Sequence, residues 1–320
     1  MKYPFENLVF EGGGVKGIAY VGALEVLEEE GILDNVKNVA GSSAGAIAAV
    51  LVGLGYKNAR LKAILTEMDF MDFFDLGSLT EQPNLFQRLF SQYGLAKGDA
   101  FCRWLEDRFW EIGFKKDLTF GILDDIITHG HYDHLDRHCR RIYLTGTNLN
   151  TGVSEIYSHE TTPDMRIIDA VRISMSCPLA FAAKPNDDGD LCVDGGVLCN
   201  YPVRVFDYDL TLEPYKRYIE TSTNKATLGI RLSPGDIYYE PEIQKQPINN
   251  LFDYAAAIVN SYLSFQDNVH LEGDDWARTA HVDALGIETL QFNITTKQKE
   301  ALIASGRKGM QTYLDWFRNA

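Results

Sequence analysis

Positive charge is scarce in this chain of 320 residues: 30 Lys and Arg face 45 Asp and Glu, a formal charge of −15. Phosphate backbones are bound by clustered Lys and Arg, so nucleic acid is excluded as a partner. Simple electrostatic attachment to an anionic membrane is excluded with it, and any lipid contact must be apolar or locally basic. Long apolar runs are also lacking. The longest, residues 44–54, is too short and too broken by glycine to span a bilayer. Residues 1–10 carry one lysine and a strand-like apolar run, without the pattern of a signal peptide. The five cysteines, Cys102, Cys139, Cys177, Cys192 and Cys199, are odd in number and contain no CxxC pair. They read as free thiols in a reducing compartment, and the expectation is a soluble, cytoplasmic protein. Low-complexity stretches, internal repeats and Pro/Ser-rich linkers are absent, so a single domain over residues 1–320 is expected.

What is present reads as a packed α/β chain, with 45% hydrophobic and 12% aromatic residues. Leu8-Val9-Phe10 is a buried strand that runs into glycines. Residues 17–30 place Ile18, Val21, Leu24 and Leu27 at helical spacing before Gly31 ends the run. Residues 36–40 form a second strand, and the small residues of 44–54 a helix that can lie close on a sheet. This β-α-β-α order implies parallel strands. Residues 70–90 crowd apolar bulk such as Phe70, Phe73, Phe74, Phe86 and Phe90, which reads as an added helical layer or as a lid or lipid-facing surface. Helices are expected at 99–112, 119–128, 165–174, 251–269 and 296–317. Strands are expected at 191–193 and 227–232, and as a hairpin pair at 141–147 and 153–158.

Two glycine motifs carry chemistry. Gly41-x-Ser43-x-Gly45 lies between a strand and a helix, the context that a nucleophile elbow requires. Gly12-Gly13-Gly14 ends the first strand, where glycines let several N–H groups converge on one negative oxygen. Lys16 would add positive field for a substrate phosphate or carboxylate, or is a solvated lysine at a helix start. The same run satisfies Gly12-x-Gly14-x-x-Gly17, the dinucleotide fingerprint. That site wants an acid at the end of the next strand, and Asn38-Val39-Ala40-Gly41 has none. For a base to Ser43, His159, His270 and His281 sit in no motif that recommends them. Asp194, between a buried strand and two glycines, is either a presented carboxylate or a turn-forming Asp-Gly pair.

Taken in order, Gly12 to Gly17, Gly41 to Gly45 and Asp194-Gly195-Gly196 resemble the three motifs of the patatin-like phospholipase family. TGTNLNTG at 145–152, AVRISMSCPLAF at 170–181 and DGGVLCNYP at 194–202 resemble its central hairpin, its helix and turn, and its aspartate segment. The resemblance covers residues 6–205; residues 206–320 resemble nothing and would be remaining layers or a C-terminal extension. It implies a three-layer α/β/α fold with a mostly parallel central sheet, and lipid acyl hydrolysis by a Ser–Asp dyad without histidine, metal or cofactor. Ser43 would be the nucleophile and Asp194 the general base. The backbone of Gly12, Gly13 and Gly14, with the N–H of Ala44, would form the oxyanion hole. The implied substrate is a phospholipid or lysophospholipid reached by transient contact with a membrane surface. Some members are toxins or effectors that wait for a partner or ligand, so a second copy, an activating partner and secretion as an effector stay open.

A rival signal lies at 129–134, where His129, His131, Asp133 and His134 satisfy HxHxDH, the metal motif of metallo-β-lactamase-like hydrolases. Four of the seven histidines, with His138, cluster there, which suits ligation of zinc. The motif should follow a strand and here follows a helix-like run, so a polar turn at a helix end is the plainer reading. A non-catalytic scaffold whose glycine loop binds an anion is the third alternative.

Overall fold

The computed structural model describes residues 3–73, 75, 93–130, 138–210, 223–233 and 273–320, with single positions at 248, 257, 258, 261 and 271. Its centre is a sheet in the order β10-β9-β1-β2-β4-β8-β7. These strands are β1 (Asn7–Phe10), β2 (Asn38–Gly41), β4 (Arg141–Asn148), β7 (Lys184–Pro185), β8 (Leu191–Asp194), β9 (Thr227–Ser233) and β10 (Thr279–Asp283). The five from β10 to β4 are parallel, whereas β8 runs antiparallel to β4 and to β7. The expected hairpin is present: β5 (Val153–Tyr157) pairs antiparallel with β4. A separate parallel pair, β3 (Gly94–Ala96) with β6 (Leu179–Phe181), has no strong signal in its three-residue strands.

Side-chain alternation sorts the sheet into two faces. Leu8, Phe10, Val39, Ile142, Leu144, Leu228, Ile230 and Leu232 point into the main core. That core also takes the apolar faces of α1 (Ala19–Glu29), α2 (Ala44–Gly53), α3 (Asn58–Glu67), α4 (Asp99–Glu111), α5 (Phe120–His129), α6 (Ile167–Ser174) and α7 (Thr296–Asn319). Val9, Ala40, Tyr143 and Ile156 point the other way and meet Val205, Leu210 and the rings of Tyr201, Phe206 and Tyr208. The segment covering that second face is fixed by Arg278, whose guanidinium donates to the buried carboxylates of Asp207 and Asp275. The result is a mixed α/β fold with a mostly parallel central sheet flanked by helices. The helix expected at 251–269 falls almost wholly outside the described residues, as does most of the aromatic segment 70–90. No helix among the described residues is long and apolar enough to cross a membrane, and no disulfide joins any of the five cysteines.

The closing helix is held by its sequence. Thr295 accepts from the N–H of Gln298 at 3.2 Å while the Gln298 side chain accepts from the N–H of Thr295 at 2.9 Å, a reciprocal capping box. Further along, α7 crosses α1 at backbone contact: a Cβ on Gly22 would strike the carbonyl of Ile303, and one on Gly306 the carbonyl of Ala19. Two glycines facing each other's main chain set how near the helices lie, and α1 is the helix that leaves the first glycine motif. Gly22→Val should therefore cost about 1–3 kcal/mol or more by overpacking. The check is a lower denaturation midpoint at unchanged m-value.

Candidate active site

Three strand ends meet above the carboxyl edge of the parallel sheet, and each brings one of the motifs. At the end of β1, Glu11 is 1% exposed and pairs with Arg231 of β9 at 3.2 Å; its carboxylate also accepts the N–H of Leu232 at 2.6 Å. Tyr20 donates its hydroxyl to the Glu11 carbonyl. The chain thus leaves the sheet at a fixed point. Gly12 and Asn200 then bond reciprocally: the N–H of Gly12 donates to the Asn200 carbonyl at 2.9 Å, and the Asn200 amide donates to the Gly12 carbonyl at 3.1 Å. A Cβ on Gly12 would overlap the Asn200 side chain and press on Ser43. Because its N–H is already taken, Gly12 differs from Gly13 and Gly14. Among the described residues, neither of those two donates a main-chain hydrogen bond.

At the end of β2 the chain turns sharply. Ser43 has φ 53° and ψ −124°, outside the regions open to ordinary residues, a strain of roughly 1–3 kcal/mol that the surroundings must hold. The Ser43 N–H donates to Ser174 Oγ at 3.0 Å, and the Gly45 N–H donates to the Ser42 carbonyl at 2.7 Å. A Cβ on Gly45 would collide with the carbonyls of Phe10 and Glu11, so α2 can begin directly against the end of β1 only with glycine there. Ala44 is the first residue of α2, and its N–H has no intrahelical acceptor by geometry.

At the end of β8, Asp194 is 4% exposed. Its N–H donates to the Ser176 carbonyl at 3.0 Å, and its Oδ1 accepts the N–H of Gly196 at 2.7 Å. The Ser43 side chain lies near enough to lower its pKa. Burial pushes the carboxyl up to about 7, against the opposing pull of the Gly196 N–H and the Ser43 hydroxyl. Ser43, Asp194, Ala44 and the glycine loop line one narrow cleft of about 70 Å3, whose other walls include Phe70, Phe73, Phe181, Leu290 and Phe292. The Phe181 wall is set by Arg172, 1% exposed, which bonds the carbonyls of Lys97 and Ala182 on either side of the small β3–β6 sheet.

Lys16 does not join this group. It is 5% exposed in the 3-10 turn Gly14–Ile18 and does not line the cleft. No histidine among the described residues lines the cleft either. His159 stands 3.9 Å from Asp124 and 3.7 Å from Glu160, and His281 lies on the edge strand β10. Of the rival metal motif, His129 pairs with Asp125 at 2.8 Å, while His131, Asp133 and His134 lie outside the described residues. Among the described residues no three His, Cys, Asp or Glu are placed to hold a metal ion. Three supporting groups escaped the sequence reading. Asn200 and Ser174 sit inside segments already singled out, with nothing in their type to mark a role. Thr289 and its neighbours reach the glycine loop from a stretch without any motif, where the Val15 N–H donates to the Thr289 carbonyl at 3.3 Å.

Comparison with known proteins places this geometry in a context. A sequence model described as patatin-like phospholipase matches residues 8–207. The chain is 29% identical over 314 residues to uncharacterized protein YqhO of Bacillus subtilis (strain 168), covering 96% of this chain and 97% of that one. It is 23% identical over 202 residues to probable lipid hydrolase 463L of Invertebrate iridescent virus 6, 63% of each chain. Among solved structures, VipD from Legionella pneumophila aligns with a TM-score of 0.62 at 17% identity, over 97% of this chain and 67% of that one. At that identity the likeness speaks for the fold alone.

A carboxyl raised by burial from its ordinary 3.8 to about 7 binds its proton more tightly in the folded than in the unfolded state. Between those values stability therefore falls as pH rises, and above about 7 the whole penalty is present. Asp194→Asn removes the charge and keeps the shape. It should melt at or above wild type at pH 8, with the difference shrinking toward pH 4. A variant clearly less stable than wild type at pH 8 would contradict the buried-charge account.

Proposed function

The chain belongs to the patatin-like phospholipase family, and on that premise we propose that it hydrolyses fatty-acyl esters of phospholipid or lysophospholipid through Ser43 and Asp194. The observation that carries the reading is a serine in a strained turn near a buried carboxyl of near-neutral pKa, both lining one apolar cleft. In this mechanism Ser43 Oγ attacks the ester carbonyl while ionised Asp194 takes the hydroxyl proton. The C–O bond to the leaving alcohol then breaks, and the alcohol takes the proton from Asp194. Water, deprotonated in turn by Asp194, attacks the acyl-serine; the C–O bond to Ser43 Oγ breaks, Asp194 returns the proton to Oγ, and the fatty acid leaves.

The negative oxygen of each tetrahedral intermediate would sit against the N–H groups of Gly13, Gly14 and Ala44. Losing one such donor typically costs about 3–4 kcal/mol of barrier. Gly12 belongs to the same cradle in a different capacity: with its N–H on Asn200, it contributes the missing side chain that lets Ser43 and Asn200 approach. Lys16, buried behind the loop, adds field from behind the cradle in this scheme and does not touch substrate. The acyl chain would enter between Phe70, Phe73 and Phe292. At about 70 Å3 the cleft is far smaller than the roughly 300–1,000 Å3 of ordinary ligand pockets, so those rings must part for a lipid. A burial-raised carboxyl suits the task, because a base is most effective when its pKa lies near the working pH.

Ser43→Ala should lose at least about 10^4-fold of the hydrolysis of a chromogenic acyl ester while keeping its fold; turnover retained in clean protein would end the assignment. The pH profile tests the base separately. Asp194 must be ionised to act, so kcat/KM should fall about tenfold per pH unit below a midpoint near 7. A flat profile through that midpoint would remove Asp194 from the role.

A further inference from the structure

The strand that leads to Ser43 and the strand that ends in Asp194 are not neighbours: β4 lies between β2 and β8 in the sheet. No ladder bond therefore sets the spacing of the proposed pair. One short run of sequence touches both. Ser174, the last residue of α6, is 0% exposed, and its Oγ accepts the N–H of Ser43 at 3.0 Å. Just beyond it, the Ser176 carbonyl accepts the N–H of Asp194 at 3.0 Å. The end of α6 thus bridges nucleophile and base through residues 174–176.

Arg172, 1% exposed, fixes that turn. Its Nη1 donates to the Ser176 hydroxyl, and that hydroxyl donates to the Arg172 carbonyl at 2.7 Å, closing a ring over the turn. Its Nη2 donates to the carbonyls of Lys97 and Ala182, which ties the same turn to the ends of β3 and β6. A Cβ on Gly98, at φ 76°, would strike the guanidinium, so the chain passes it closely only with glycine there. The bonded partners are a hydroxyl and two carbonyls, while Asp75, Asp99 and Cys102 lie close enough to favour the charge against burial. A planar fork that meets several acceptors in fixed directions orients what it touches, which a lysine ammonium cannot do.

We propose that Arg172 is a positioning residue for hydrolysis: it locks the turn of residues 174–176, and that turn holds the Ser43 hydroxyl and the Asp194 carboxyl in register. The proposal rests on the acyl-hydrolase reading above and adds to it the part that spaces the pair. Its two arms have different consequences. Ser174 acts on the nucleophile alone, by holding the N–H of a residue whose backbone is strained. Ser176 acts on the base, because its carbonyl anchors Asp194 and its hydroxyl is the link to Arg172. The polar groups that bear on the Asp194 carboxyl are the Gly196 N–H, the Ser43 side chain and the Cys177 thiol, whose own pKa the carboxylate helps to raise.

The test combines kinetics on a chromogenic acyl ester, per active site, with titration of the Asp194 carboxyl by carbon NMR, its signal identified by loss in Asp194→Asn. Ser174→Ala should lower kcat at least about tenfold, since a misplacement of about 1 Å can cost about 10^2-fold. KM and the carboxyl midpoint near 7 should stay as in wild type. Ser176→Ala keeps the carbonyl that anchors Asp194 and frees it from Arg172. Water then reaches the carboxyl, and because burial is what raises its pKa, the midpoint should fall by at least about half a pH unit, with kcat falling too. Arg172→Lys keeps the charge, loses the fork and should move the midpoint in the same direction; should it fail to fold, Ser176→Ala decides alone. The proposal is overturned if Ser176→Ala keeps the wild-type midpoint, or if Ser174→Ala melts lower yet keeps the wild-type kcat per site. Wild type without Ser43-dependent turnover would instead end the hydrolase reading, and the NMR midpoint of Ser176→Ala would then decide the spacing role by itself.

Discussion

The burial of one carboxyl group is the constraint around which this molecule is arranged. Asp194 sits at the end of β8 with 4% of its surface exposed, and only the Gly196 N–H and the Ser43 hydroxyl oppose the cost of its charge. A carboxylate in open water would be a weak base near pH 4 and useless for drawing a proton from serine. One buried without any donor would stay protonated. The intermediate position, near neutrality, comes from burial among Phe181, Phe292 and the other cleft walls, balanced by the Gly196 N–H and the influence of the nearby Ser43 hydroxyl.

Holding that carboxyl beside Ser43 costs strain elsewhere, and the fold shows where it is absorbed. The serine adopts a backbone conformation that few residues tolerate and is kept there by Ser174 from α6 and by the close seating of α2 on β1. The glycine loop is anchored from below by the buried Glu11–Arg231 pair and from the side by Asn200. These anchors come from β9, α6 and the segment after β8, so the site is a property of the whole sheet, not of any motif alone. The same helix α2 that begins at Ser43 ends where the Val52 carbonyl meets Arg140.

Much of this was legible in the residues. Strand–glycine–helix alternation placed β1, α1, β2 and α2 within a few residues of where they lie, because short buried strands and small-residue helices leave a strong periodic trace. The last helix, expected at 296–317, spans Thr296–Asn319. What could not be read were groups whose role is set by three-dimensional neighbours. Asn200 is one of many asparagines until its amide is seen on Gly12, and Thr289 belongs to a loop with no pattern. Lys16, next to the glycines in sequence, is buried in the 3-10 turn that follows Gly13 and does not line the cleft.

The central claim, that Ser43 is made nucleophilic by Asp194 inside an apolar cleft, is tested most directly by covalent labelling. The protein would be treated with a long-chain alkyl fluorophosphonate and the adduct located by mass spectrometry of its peptides. A single adduct on Ser43 is expected, forming faster as pH rises through 7 and much more slowly in Asp194→Asn. Labelling at another residue, or labelling of Ser43 at the same rate without the aspartate, would contradict the account.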